Sequence, residues 1–197
     1  MVFLETRTKD TKERIIEAAM TLLKEKGYRG ASTKAIASVA GVNEITLFRH
    51  FGNKRNIFTA VMEKFSYLPS FEKMFKEDVM WDLQADLRMF ALNYLDYFRN
   101  NGDIITIAYK ELGMFPELDR QVALTPVKLT GLLVDYFETM KQKGRIRDCP
   151  SEAYAMMLVS MNFGFLYHRL VHGDISGVSE EDFIEDTIAI IADGLVP

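Results

Sequence analysis

Thr33, Asn43, Glu44, Thr46, Phe48, Arg49, His50 and Lys54 lie close together in one basic stretch of the chain. They make no catalytic set, because no nucleophile stands beside a general base. Their chemistry is that of recognition. Arg49 carries a planar fork that matches O6 and N7 of guanine, or it binds phosphate alone. Asn43 and Thr46 can touch base edges or the nucleic-acid backbone. Glu44 repels phosphate, so it either accepts from a cytosine amine or caps its helix, and capping is the preferred reading. Phe48 can meet a thymine methyl or a sugar. Thr33 and Lys54 each open an expected helix, where free N–H groups and the helix dipole favour a phosphate. His50, ending its helix, can donate to a phosphate.

The elements that must hold these side chains are written in residues 33–51, TKAIASVAGVNEITLFRHF. They read as a helix, a tight turn at Gly41 and a second helix. Gly41 can take the left-handed conformation that a sharp turn requires. Ile36, Ala37, Ala40, Val42 and Leu47 supply the apolar seam. Asn43 to Thr46 and Phe48 to His50 are left outside, as in a helix laid into a DNA major groove. An ordinary packed helix pair would share the seam and the turn, but not this outer face.

Charge supports a nucleic-acid partner at one end only. Residues 1–56 hold 11 Lys and Arg against 6 Asp and Glu, so +5, whereas the remainder carries −9 within a net charge of −4. The 197 residues suffice for a sizeable core without disulfides. A single cysteine, Cys149, and the lack of a signal-like apolar run point to the reducing cytoplasm. No apolar run is long enough to span a bilayer.

Helical periodicity predicts an all-α chain of about nine helices. The first runs from Asp10 to Lys26 and stops at Gly27. Lys54 to about Tyr67 follows the motif, with Asn53 as cap and Pro69 as its end. Further helices are expected at Trp81–Asn100, Asp103–Leu112, Glu117–Lys143, Ser151–His172 and Ser179–Leu195. Pro126 is expected to kink or divide the third of these. The first three helices form a DNA-binding domain over 1–56. Residues 57–197 form a larger helical domain for ligand binding and dimerisation.

Residues 10–60 resemble the TetR family of transcriptional regulators. The match is carried by Ile15-Ile16, Ala18-Ala19, Leu22-Leu23, Gly27-Tyr28, Ser32-Thr33, Ile36-Ala37, Ala40-Gly41-Val42, Thr46-Leu47-Phe48, His50-Phe51 and Lys54. The resemblance implies a homodimeric repressor on a two-fold symmetric operator, released by a small ligand bound in the C-terminal half. It also implies Tyr at position 48 and Gly at position 45, where this chain has Phe48 and Ile45. The helix from Lys54 to Tyr67 would then act as the hinge.

The C-terminal part holds 19 of the 23 aromatic residues and 9 of the 11 methionines. Such side chains build adaptable apolar cavities or an ordinary core. The candidates for a hydrophobic small-molecule pocket are Phe71, Met74, Phe75, Met89, Phe90, Tyr94, Phe98, Tyr109, Phe115, Phe137, Met161 and Phe165. Arg88, Asn93 and Lys110 are candidates to orient a ligand. Leu158, Asn162 and Leu166 of the penultimate helix, with Phe183, Thr187, Ile188 and Ile191 of the last, are candidates for a four-helix dimer contact. His168 and His172 share the i, i+4 spacing of metal ligands. Arg169 stands where a zincin has its general-base Glu, and no further ligand cluster is apparent beyond Asp174, so no metal or other cofactor is expected.

Overall fold

The computed structural model describes residues 10–113, 116–174 and 177–195. Among the described residues there are nine α-helices, one π-helical turn and no strand. None of these helices is long and apolar enough to cross a membrane. The chain forms two compact units. One gathers the described residues up to Phe65 with Ile107–Gln121, and the other gathers Ser66–Thr106 with the described residues from Val122 onward. The expected boundary after residue 56 falls inside a helix of the first unit.

In the first unit, α1 (Thr11–Gly30) buries Ile15, Ile16, Ala18, Ala19, Leu22 and Leu23 on one stripe. Its regular part breaks at Gly27, where φ is 65°. The short α2 (Thr33–Ala40), α3 (Glu44–Phe51) and α4 (Lys54–Lys64) each begin with a side-chain cap. Ser32 accepts from the Ala35 amide at 3.2 Å, Asn43 from Thr46 at 2.7 Å and Asn53 from Asn56 at 2.9 Å. Such caps satisfy amides that the first helical turn leaves open. Helix α1 packs on α2 and α4, and α3 packs on α2 and α4. Ile36, Leu47, Ile57 and Val61 are fully buried there. Lys64 reaches Glu13 at 3.1 Å and Glu17 at 3.5 Å, tying the end of α4 to α1. All of α4 lies in the first unit, and the segment expected as one helix to Tyr67 passes into the second only after that helix has ended.

The second unit opens with α5 (Leu68–Lys73), where Pro69 stands in the first turn and starts a helix, not ends one. A π-helical turn, Met74–Asp78, continues it. Helix α6 (Leu83–Lys110) bends at Asn101, where φ is −130° and ψ 16°. The Asn101 side chain donates to the Tyr97 carbonyl at 3.0 Å. The break expected at Asn101-Gly102 is therefore present, as a non-helical residue between two helical stretches. Helix α7 (Pro116–Gln142) is not divided at Pro126. A proline removes one amide, and the buried stripe of Leu129, Leu133, Tyr136, Phe137 and Met140 holds the turns that follow it. Helices α8 (Ser151–His172) and α9 (Glu180–Leu195) complete the unit.

One carboxylate is buried in this second core. Asp86 accepts from the Met80 amide at 2.8 Å and from the Tyr136 hydroxyl at 2.9 Å. Burial, and then the Asp86 charge, push the Tyr136 phenol well above its ordinary pKa, so it stays a donor at physiological pH. Trp81 stacks on Tyr136 with an interplanar angle of 11°. Its backbone φ of 60° lies in a region costly for a bulky residue. The Asp86 bond to the neighbouring amide and the ring stack fix that conformation.

Two stability outcomes follow. Gly41 has φ 65°, and a Cβ there would meet nothing within 4 Å. Gly41→Ala should therefore cost only the left-handed backbone penalty of about 1–2 kcal/mol, and Gly41→Asn less. Tyr136→Phe should cost about 1–3 kcal/mol by removing a partner of a buried carboxylate. Urea denaturation of the three variants measures both.

Candidate nucleic-acid interface

The turn between α2 and α3 is closed by backbone bonds around Gly41. Its own amide donates to Ser38 at 3.2 Å, and the Val42 amide donates to Ala37 at 3.0 Å. Below the turn, Leu47 and Phe51 are buried and fix how α3 sits on the unit. On the outer side Phe48, Arg49 and His50 are exposed. Ile45 is 79% exposed and Phe48 43%, unusual for large apolar side chains on so short a helix. Arg49 makes no ion pair among the described residues. The outer face thus offers a cation, an imidazole and two apolar groups on one rigid, capped helix.

Three residues expected to touch nucleic acid have internal bonds. The Thr33 hydroxyl donates to the Glu44 carboxylate at 2.5 Å, joining the first turn of α2 to the first turn of α3. Thr33 therefore spends its hydroxyl on a side chain, and Glu44, which accepts it at one oxygen, is not the residue that caps α3. Asn43 makes that cap, which occupies its side-chain oxygen. Half-buried Thr46 supplies the capped amide. The Glu44 charge still sits where the α3 dipole favours an anion.

Lys54 is half-buried in an aromatic seat. Its ammonium donates to the Tyr28 carbonyl at 2.5 Å and lies 4.3 Å from the Tyr28 ring centroid and 5.8 Å from that of Phe58. The two rings meet edge to face at 4.5 Å. Burial lowers the Lys54 pKa from the ordinary lysine value, and the Glu111 carboxylate works against that shift. Glu111 also accepts from the Tyr28 amide at 3.2 Å. A Cβ at Gly27 would come 3.3 Å from this carboxylate, so the bare glycine lets the connector approach it. Sequence reading placed Lys54 correctly at a helix start but missed Tyr28, Phe58 and Glu111 around it. No local pattern marks Glu111, which is 83 positions from Tyr28.

In the second unit, Phe71, Met74, Phe90, Tyr94, Phe98 and Phe137 are buried, and Phe75, Met89, Met161 and Phe165 are half-buried. Phe71, Phe90 and Tyr94 form a ring cluster with centroids 5.0–5.7 Å apart, and Phe98 stacks on Tyr94. Tyr109 belongs instead to the first unit, so it does not join this cluster. Phe115 lies outside the described residues. Phe98 also lines a cavity of about 220 Å³ with Leu95, Leu166 and Leu170. A larger cavity of about 460 Å³ has Leu92, Leu95 and Ile184 among its walls. Arg88 and Arg99 reach it already paired with Glu185 and Glu180. Asn93 donates to the Met89 carbonyl at 3.0 Å, an internal role, and Lys110 is exposed in the first unit.

Most residues expected at a dimer contact are already covered by their own subunit. Leu158, Asn162, Leu166, Thr187, Ile188 and Ile191 are buried between the helices of the second unit, so they do not present a surface to a second chain. The Asn162 amide, for example, donates to the Leu158 carbonyl at 2.9 Å. Phe183 is half-buried and stacks on Phe165 at 3.9 Å. Two large apolar side chains stand among the polar outer positions of these helices, Met156 62% and Ile190 72% exposed, with Glu152, Glu185 and Asp186 also outside. Periodicity identified the buried stripe and left open which side faced outward.

Comparison with known proteins agrees with the motif and extends it to the whole chain. Residues 15–61 match the family model described as bacterial regulatory proteins, tetR family. The chain is 36% identical over 186 residues to the uncharacterized HTH-type transcriptional regulator YvkB of Bacillus subtilis, covering 94% of this chain and 97% of that one. It is 24% identical over 153 residues to the HTH-type transcriptional repressor NicS of Pseudomonas putida, covering 75% and 72% of the two chains. The solved structure of the flavonoid-responsive regulator FrrA superposes with a TM-score of 0.73 at 25% identity, over 95% of this chain and 97% of that one. The capped helix-turn-helix and a likeness running nearly end to end lead to one conclusion: the chain belongs to the tetR family of bacterial regulatory proteins and is a DNA-binding transcriptional regulator, not an enzyme.

Proposed function

We propose that the chain is a homodimeric repressor that binds a two-fold symmetric operator through α3 and leaves it when a hydrophobic small molecule binds the second unit. The outer face of α3 carries this reading. A helix that exposes Ile45 and Phe48 beside Arg49 and His50 is suited to a surface that offers thymine methyls, guanine edges and phosphates together. Arg49 is the base-reading residue, Lys54 and His50 bind phosphate, and Ile45 and Phe48 make the apolar contacts.

A hydrophobic effector suits the ring cluster around Phe71, Phe90, Tyr94 and Phe98. The likeness to NicS, a repressor, and FrrA, a flavonoid-responsive regulator, lends support. A second chain suits the exposed apolar positions Met156 and Ile190 on α8 and α9. The effector works by preferring one state of the dimer, so its differential affinity sets the loss of operator binding.

Selection of random duplex DNA on the purified protein should return a palindrome with half-sites about one helical turn or more apart. Recovery of no site from folded protein would overturn the reading. On the selected site, Lys54→Ala should weaken binding to all sequences and reduce the salt slope by about one. Arg49→Ala should relax base preference at one operator position. Ile190→Glu should shift sedimentation from dimer to monomer and weaken operator binding with it. Trp81, the single tryptophan, lies in the second unit, and its emission gives an optical signal for screening lipophilic aromatic effectors.

A further inference from the structure

The Lys54 ammonium is held by groups that are themselves held. The Tyr28 carbonyl and ring seat it, and the Tyr28 amide is tied to Glu111. Tyr28 follows Gly27, the point where α1 departs from helical geometry, so the peptide that carries this seat lies just past a break in the helix. Glu111 ends the segment that α6 contributes to the first unit, and the next described turn is pinned by Asp119, which accepts from the Gly113 amide at 2.8 Å. An ammonium has three donors and spends one on the Tyr28 carbonyl. The remaining donors can meet a phosphate without the cost of ordering a long side chain.

We propose that Glu111 is a positioning residue for DNA binding: by holding the Tyr28 amide it fixes the carbonyl and ring that present the Lys54 ammonium to a phosphate. This rests on the reading of Lys54 as a phosphate contact. Glu111 does not touch DNA, and its contribution passes through the Tyr28 peptide. The end of α6 thereby acquires a direct chemical handle on an operator contact.

Two measurements test this, and the first needs no DNA. Carbon-13 NMR titration of labelled lysines should find Lys54 below the other lysines in wild type. In Glu111→Ala it should join the exposed lysines, because its seat is lost. In Glu111→Gln, which keeps an acceptor for the Tyr28 amide, it should stay low. Both variants lose the carboxylate that raises the Lys54 pKa, so they are compared with each other: a Lys54 titration no higher in Glu111→Ala than in Glu111→Gln overturns the proposal whether or not the protein binds DNA.

The second measurement is a double-mutant cycle on the selected operator, after thermal melts show the variants folded. Glu111→Ala should weaken binding roughly tenfold or more, the scale of a charged hydrogen bond, and should lower the salt slope by about one. Glu111→Gln should remain within about twofold of wild type, and adding Lys54→Ala to Glu111→Ala should cost little more. Tighter binding by Glu111→Ala would identify Glu111 as a repelling charge and overturn the proposal. Fully additive losses would overturn it too. Failure of the wild-type protein to bind any DNA would sink the functional reading separately.

Discussion

The left-handed turn at Gly41 is the constraint on which the DNA-binding unit depends. Two backbone bonds close it, and the Arg14 guanidinium of α1 donates to the Gly41 carbonyl at 3.4 Å. Once α2 stops there, Asn43 can cap α3, and Leu47 and Phe51 fall on the buried side. The outer face follows by elimination, because an eight-residue helix with two anchors has few rotations left. The bond from Thr33 to Glu44 adds a polar strut outside the apolar seam. The outer side chains of α3 are therefore fixed by residues of the turn and the buried side, and this separates the tasks of holding and presenting.

Much of this was legible in the sequence because it is local. Asn53 was recognisable as a cap, Gly41 as a turn and Leu47 as a seam residue, since each acts within four positions of its partner, whereas the cap of α3 was assigned to Glu44 and is made by Asn43. The extents of α8 and α9 were read closely from periodicity for the same reason. What failed was long-range. The partner of Thr33 lies across the turn, and that of Tyr28 lies at the end of α6. Helical periodicity could not assign Leu158 and Ile188 to core or interface, because a buried stripe looks alike whether its cover is the same chain or another. At Pro126 the expected alternative of two separate helices fails, since burial on the turns beyond it continues one helix across a local breaker.

The second unit shows a different economy of polar groups. Asp86 is buried but bonded at both oxygens, which lets a charge order the start of α6 and the Tyr136 side chain together. Arginines at the 460 Å³ cavity are each matched to a carboxylate on α9. Apolar rings fill the space between helices, where adaptable contacts outnumber directional ones. A unit built this way keeps its specificity in a few bonded polar groups and leaves shape to the rings.

The exposure of Ile45 and Phe48 has a thermal consequence for association. Both rest against water in the free protein, and a groove that covers them removes apolar surface from solvent. Removing such surface lowers the heat capacity, so the enthalpy of operator binding must become more negative as temperature rises. Arg49 and the phosphate contacts contribute through counterions and hydrogen bonds, with little of that signature. The apolar and ionic parts of this one short helix are thus separable by calorimetry, one through temperature and the other through salt.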